Sequence, residues 1–424
     1  MDPAQPTPIG RYRWVVGGAL AVITAINYFD RQTLPVVIGE IQRDIPVSNS
    51  DFSTLQALFL LAYAVMYAGG GWLVDRVGTR VGYAVVAGTW SVACMLHAAA
   101  SSVLGLGGAR FLLGLGEGGG FPASAKAVSE WFPARERSMA VGLFNTGSAV
   151  GAVIAPPLVA AIVLRWHWRA VFLAAGAVGV AWALAWARLY EPASTSRAVG
   201  SAERKYLLDS GVGRVDPAPR VKWVDLLKIR DVWTLIVAKF LTDGAWFFFV
   251  FWLPKYLGDA RGFKMAAIGS YAWIPYAFAG IGSFIGGWFS AHLIRRGFSL
   301  GASRKIALAV SAALLPSSLL VVQAPVEWAI LLVSIAFLGH QFWSVIIQTL
   351  PTDLFPPRAV GSVAGLIGCA GSFGAMLFNL LVGFLLDRFG SYALPFFLGG
   401  IMHPIAFMLV LLTLRIDPEP AHRR

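Results

Sequence analysis

Residues 26–34 read INYFDRQTL and set Asp30 beside Arg31 inside an apolar run. A carboxylate there can hold or release a proton, and a guanidinium can grip a second carboxylate through two parallel hydrogen bonds. Further on, RFLLGLGE spaces Arg110 and Glu117 seven residues apart. On a helix that is close to two turns, so one face carries an Arg about 10 Å from a Glu. KFLTD adds Lys239 and Asp243 at a spacing of four, again one helical face, and LGHQ adds His340 and Gln341. Arg31, Arg110 and Lys239 balance Asp30, Glu117 and Asp243 in charge. An anion entering such a poorly hydrated cluster favours protonation of one of its carboxylates, so a proton and an anionic ligand would bind together. In that scheme Arg31, with Lys239 as a second candidate, holds the ligand carboxylate; Asp30 and Glu117 take the proton, with Arg110 controlling Glu117.

The elements that position these residues are membrane helices. The chain has 424 residues, of which 57% are hydrophobic and only 13% charged, about half the charge of an average soluble domain. Runs long enough to cross a core about 30 Å thick recur along the whole length. Twelve spans are predicted, at 14–38, 52–74, 82–100, 103–128, 138–164, 169–190, 231–257, 266–293, 305–322, 326–350, 359–386 and 391–415. They group as a cytoplasmic N-terminus (1–13), a six-helix bundle (14–190), a polar linker (191–230), a second bundle (231–416) and a tail (417–424). Asp30 and Arg31 then lie about 10 to 12 Å below the outer end of span one at ~1.5 Å per residue, and Arg110 lies at a similar depth in span four, close enough to meet. Six such ionisables facing lipid unpaired would cost on the order of 15–20 kcal/mol, so they must face a cavity or one another.

Of the 34 Lys and Arg, 24 fall on the side that holds both termini and seven on the other. That asymmetry places both termini in the cytoplasm and accounts for the net charge of +12 without a nucleic-acid footprint. MDPAQPTPIG has no small-x-small cleavage site before the apolar run, so span one is expected to be retained. The two cysteines, Cys94 and Cys369, fall in different halves and read as packing residues; neither a disulfide nor a metal site is expected.

The two halves echo one another. EWFPARERSMAVGLFNTGSAVG from Glu130 aligns without gaps on DLFPPRAVGSVAGLIGCAGSFG from Asp353, pairing Arg135 with Arg358 and Gly151 with Gly374. GWLVDRVGTR (71–80) places Asp75, Arg76 and Arg80 at the inner turn after span two, where charge can meet a neighbouring helix terminus and, with Arg135, serve a gate; GFLLDRFGSY (383–392) repeats the pattern at the outer side. The G-x-G-x-x-G at 114, 116 and 119 has no strand before it, and GFSLG (297–301) lacks strand-turn-helix context, so neither carries nucleotide or nucleophile chemistry. The run WFFFVFW (246–252) suits packing or lipid contact.

G-x-x-x-D-R-x-G-x-R after span two, twelve spans in two halves and a basic central loop resemble the major facilitator superfamily. NYFDRQTLPVV, RFLLGLGEGGGFPASAKAVSEWFPARERS, FNTGSAVGAVIAPPLV and GHQ resemble its anion:cation symporter branch, especially bacterial hexuronate and galactonate transporters. The resemblance implies proton-driven uptake of a sugar acid such as galacturonate or glucuronate by alternating access. It implies the bacterial inner membrane, with protons as coupling ion and no other cofactor; a monomer is expected because one chain contains both halves of the pathway. It also gives Asp30, Arg31, Arg110 and Glu117 the roles that the charge balance suggests, and extends to Lys239 and His340 as ligand contacts and Asp243 as a coupling residue. Tyr28 and Tyr63 offer ring surface and hydroxyl to a sugar, and Gln341 and Asn379, with Asn27 and Asn145, offer amides. Symport of another organic anion (galactonate, glucarate, a short monocarboxylate), drug export and a non-transporting sensor are the rival readings. Three intramembrane cations disfavour a cationic drug, no output domain fits a linker of about 40 residues, and no nucleophile or metal constellation for an enzyme is present.

Overall fold

The computed structural model describes residues 10–193, 195–212, 223–414 and 416. The first nine residues, 213–222 of the linker and the 417–424 tail lie outside the described residues, as does the side chain of Arg358. The face that carries the termini is called inner here and the opposite face outer, following the charge asymmetry.

The first half comprises α1 (Tyr12–Asp44), α2 (Asn49–Val77), α3 (Thr79–Leu96) with a 3-10 turn (His97–Ala99), α4 (Val103–Gly118), α5 (Gly120–Trp131), α6 (Ala134–Arg165) and α7 (Trp168–Leu189). Two short helices, α8 (Ser201–Asp209) and α9 (Trp223–Leu226), belong to the linker. The second half comprises α10 (Arg230–Asp259), α11 (Met265–Tyr271), α12 (Trp273–Arg295), α13 (Leu300–Leu314) with a 3-10 turn (Leu315–Leu320), α14 (Val326–Leu354), α15 (Pro357–Phe389) and α16 (Ala393–Thr413). Spans four and eight are each two helices in tandem, α4–α5 and α11–α12, which brings the membrane-length units to twelve. Among the described residues, nine helices are long and apolar enough to cross a membrane by themselves, or ten with α2, which bends by 49°. The two units outside that set are α1 and α4–α5. They carry Asp30, Arg31, Arg110 and Glu117, four of the six intramembrane charges.

The sequence repeat is visible in three dimensions. A Cβ on Gly151 would stand 2.2 Å from the Ala25 carbonyl, and one on Gly374 would stand 2.0 Å from that of Phe240. These aligned glycines thus let α6 pack on α1 and α15 on α10 with backbones nearly touching. Helix α1 has no side-chain cap of its own. Glu203 of α8 supplies one, accepting the backbone N–H of Tyr12 (3.0 Å) and Arg13 (3.2 Å) and the Arg13 guanidinium (2.9 Å). Part of the expected polar linker is therefore a helix docked on the first half.

The halves meet toward the outer face. The Ser48–Asp51 capping box starts α2 there. Next to it, Ser50 donates its N–H (2.9 Å) and its hydroxyl to Asp387, the Asp of the outer D-R-x-G copy. Tyr276 Oη lies 2.9 Å from Gln32 Oε1, and Phe52 meets Trp252 edge-on at 4.9 Å. In WFFFVFW, Phe248, Phe249, Phe251 and Trp252 are all buried, so that run is mainly core.

Candidate substrate and proton site

The glycine run of α4 builds the site. A Cβ on Gly114 would fall 2.3 Å from the Phe59 carbonyl and one on Gly118 2.5 Å from that of Tyr63, so only hydrogen at both positions lets α4 lie against α2. That approach carries Glu117 to α1. Arg31 Nε and Nη2 both donate to Glu117 Oε2, at 2.9 and 2.8 Å, and Nη2 also reaches Asn27 Oδ1 at 3.3 Å. The guanidinium lies 4.7 Å from the ring centre of Tyr28, 5.0 Å from Tyr63 and 5.4 Å from Phe59. Three rings around one cation fix its direction and keep lipid away.

Equal depth led to the expectation that Asp30, Arg31 and Arg110 meet; rotation about the helix axes separates Asp30 from the other two. Successive residues on a helix point about 100° apart, so Asp30 and Arg31 do not share a face. Arg31 turns to Glu117, while Asp30 turns to α3 and accepts a hydrogen bond from Cys94 Sγ at 3.6 Å. Cys94 is thereby more than the packing residue its type suggests. Arg110 shares the α4 wall with Glu117 yet does not grip its carboxylate. Its Nη2 donates to Gln56 Oε1 (2.9 Å) and lies 3.4 Å from the Arg31 carbonyl, while Nε and Nη1 have no hydrogen-bond partner among the described residues. Glu117 Oε1, Asp30 Oδ2 and Asn27 Nδ2 are likewise buried without partners. Buried polar atoms left open in this number mark a place that water or a ligand completes.

A cavity of about 60 Å³ opens beside this cluster, lined among others by Asn27, Tyr28, Arg31, Tyr63, Glu117 and Asn145. That is room for a few water molecules. Lys239, Asp243, His340, Gln341 and Asn379 do not line it. Lys239 is paired with Asp243 at 2.7 Å within α10. His340 stacks on Trp246 (4.5 Å, 8° between planes), and its Nδ1 lies 3.0 Å from His403 Nε2. Gln341 accepts from Ser283 at 3.3 Å. Asn379 is fully buried, accepting from Trp252 Nε1 (2.9 Å) and donating to the Ala375 carbonyl (2.8 Å), so both ends of its amide serve packing in this conformation.

At the inner face the motif makes these contacts among the described residues. Asp75 pairs with Lys126 at 2.8 Å, Arg76 lies over Trp72, and Arg80 donates to the carbonyls of Ala187 (2.6 Å) and Arg188 (3.1 Å), tying α3 to the end of α7. Arg135 is exposed at the start of α6. Sequence reasoning missed Gln56, His97 and His403. Gln56 had a signal, since it precedes Tyr63 by seven on an otherwise apolar helix. Among the described residues, no group of three His, Cys, Asp or Glu side chains is placed to hold a metal ion.

Two helical bundles that meet toward one face, with buried charges beside a cavity in the first of them, have the architecture of a polytopic membrane carrier. Residues 20–378 match the model of the Major Facilitator Superfamily, and the chain belongs to that family of transporters; it is not an enzyme. It is 34% identical over 384 residues to the hexuronate transporter of Escherichia coli (strain K12), spanning 89% of this chain and 88% of that protein. It is 34% identical over 307 residues to the galacturonate transporter of Dickeya chrysanthemi (72% and 89%), and 30% identical over 402 residues to the D-galactonate transporter of Escherichia coli O6:H1 (92% of each). Among solved structures, a bacterial homologue of the human lysosomal transporter Spinster, inward-facing and occupied, superimposes with a TM-score of 0.75 at 19% identity, covering 97% of this chain and 98% of that one. At that identity the likeness speaks for the fold alone.

Proposed function

We propose that this transporter takes up a sugar acid of the hexuronate class together with a proton. The observation that carries the reading is the Arg31–Glu117 pair at the cavity wall. Arg31 is the cavity-lining cation best placed to receive a carboxylate, and Glu117 already occupies it. A substrate carboxylate must displace Glu117, and a displaced carboxylate inside the membrane is costly unless it takes a proton. Binding of substrate and proton are thus coupled through one guanidinium. Tyr28, Tyr63, Asn27 and Asn145 surround it with hydroxyls and amides suited to a polyhydroxylated acid. The hexuronate, galacturonate and galactonate transporters among the relatives support that substrate class. On this reading the protein is a monomer in a bacterial inner membrane, both termini are cytoplasmic, and protons are the coupling ion with no further cofactor, metal or nucleic-acid partner.

The test is uptake of radiolabelled galacturonate into proteoliposomes under an inward proton gradient, with galactonate, glucarate and lactate as cold competitors. The expected result is accumulation above equilibrium that collapses when the gradient is dissipated. Exchange without gradient dependence would leave a facilitator and remove the proton; competition by lactate but not by galactonate would move the substrate to short monocarboxylates.

A further inference from the structure

Asp30 is fully buried and its surroundings are sparse. Among the described residues its Oδ2 has no hydrogen-bond partner, and no Lys, Arg or His nitrogen lies within ion-pair distance of either oxygen. Arg31, its neighbour on α1, is committed to Glu117. From α4, Arg110 is turned to Gln56 and Glu117 to Arg31. From the end of α3, His97 has its Nδ1 2.8 Å from the Ala93 carbonyl, so that nitrogen carries the proton and Nε2 is a bare acceptor with nothing to donate. Helices α5, α6, α7 and α10 are also packed on α1, and among the described residues their charged side chains pair elsewhere: Lys126 with Asp75, Glu136 with Arg13, Arg169 with Asp44 and Lys239 with Asp243. What remains is Cys94. Its Sγ lies 3.6 Å from Asp30 Oδ1 and 3.7 Å from the carbonyl oxygen of Phe172 on α7. One S–H therefore has two acceptors at nearly equal distance.

Resting on the reading of Asp30 as a proton site, we propose that Cys94 is the positioning residue of that site, a thiol that switches its single hydrogen bond with the charge of Asp30. When Asp30 is a carboxylate it is the stronger acceptor, because hydrogen bonds to ionised groups are roughly twice as strong as neutral ones, and the S–H points to it. When Asp30 is a carboxylic acid its own O–H becomes a donor, and the S–H turns to Phe172. The thiol stabilises the charged form without adding a fixed charge, which an arginine in its place would do. Nothing is broken or formed beyond the hydrogen bond, and the proton on sulfur stays there throughout. Phe172 is held for this by the His97 ring stacked on it at 4.8 Å.

The chain has two cysteines, so Cys369→Ala leaves Cys94 as the sole thiol, and its S–H stretching band can be read by infrared spectroscopy in a window free of other protein bands. We expect two S–H populations that interconvert with pH, collapsing to one pH-independent band in Cys369→Ala/Asp30→Asn. In proteoliposomes Cys94→Ala should move the pH midpoint of gradient-driven galacturonate uptake upward by about half to one unit, a hydrogen bond's worth. Cys94→Ser, a stronger donor, should move it down by a similar amount. Counterflow at saturating substrate should change less than about twofold in both, as for a folded carrier with an intact substrate site. A pH-independent S–H band in Cys369→Ala, or an unmoved midpoint in both Cys94 variants, overturns the proposal. Wild-type uptake that ignores the gradient would overturn the coupling reading alone, and the S–H titration would then decide the thiol's role by itself.

Discussion

The two halves of this transporter each bury an ion pair, and they do so differently. In the first half Arg31 and Glu117 join α1 to α4 at 2.8 Å. In the second half Lys239 and Asp243 lie four residues apart on α10 at 2.7 Å. A pair between helices changes its length when the helices move and can be opened by a third charge. A pair within one helix moves as a unit and neutralises itself whatever its neighbours do. Around the first pair lie open polar atoms and a cavity; around the second lie packed rings and the His340–His403 contact. The first half is thus built to respond to a ligand's charge, and the second to present a fixed surface to the rest of it.

Removing Arg31 breaks that comparison most directly. Arg31→Ala should lower kcat/KM for galacturonate uptake by about 30- to 1,000-fold, the range for truncating one partner of a buried charge pair. Arg31→Lys should recover little, since a point charge cannot replace a fork held between two tyrosine rings. Uptake retained within threefold in Arg31→Ala would move the carboxylate site to the other half. Glu117→Gln comes next. It keeps the shape and removes the titrating group, so accumulation under a gradient should fall about tenfold, to the level of passive exchange, while counterflow persists and loses its pH dependence. Unchanged accumulation would leave coupling to Asp30 alone.

The second half allows a sharper distinction. Lys239→Met alone leaves Asp243 buried and unpaired, and Asp243→Asn alone leaves Lys239 so; each should cut folded yield and uptake by about tenfold or more, as breaking a buried pair does. Lys239→Met/Asp243→Asn should restore both to within about threefold, because a local pair can often be replaced by neutral residues at little cost. If yield returns while uptake does not, Lys239 touches substrate, and the contrast between the halves fails.

Much of this architecture was legible in the chain. Hydropathy located membrane-length units, and the FP-x-R repeat matched α6 to α15; that they pack on α1 and α10 through the aligned glycines needed the structure. The intramembrane charges were legible because hydrocarbon excludes them unless something compensates. Their partners were not. Arg31 pairs with Glu117 while the adjacent Asp30 turns to Cys94, because rotation about the helix axis decides which side chains meet, and depth carries no information on rotation. Cys94 was hidden for another reason: a thiol is cheap enough to bury that its presence signals nothing until a charged partner is seen beside it. Asn379 shows the converse, a polar residue that looked available and is consumed by Trp252.

A comparison between halves presumes that they move against each other, and one polar contact at the outer rim of their interface can be removed without touching its packing. Asp387, at the end of α15, accepts the N–H and hydroxyl of Ser50 in the first turn of α2, where the helix dipole favours a negative charge. Asp387→Asn keeps one acceptor and removes the charge, which should weaken this exposed contact by about 1 kcal/mol. A carrier whose outward-open state is scarce binds external substrate with an apparent affinity reduced by that scarcity. Loosening the latch should therefore lower the external KM by about three- to fivefold and raise the internal half-saturation, with little change in the substrate selectivity set by Arg31 and its tyrosines. Measuring half-saturation from both sides in right-side-out and inverted vesicles checks this. An external KM that does not move would mean that Gln32–Tyr276 and Phe52–Trp252, deeper in the same interface, hold the outer face closed without help from the motif above them.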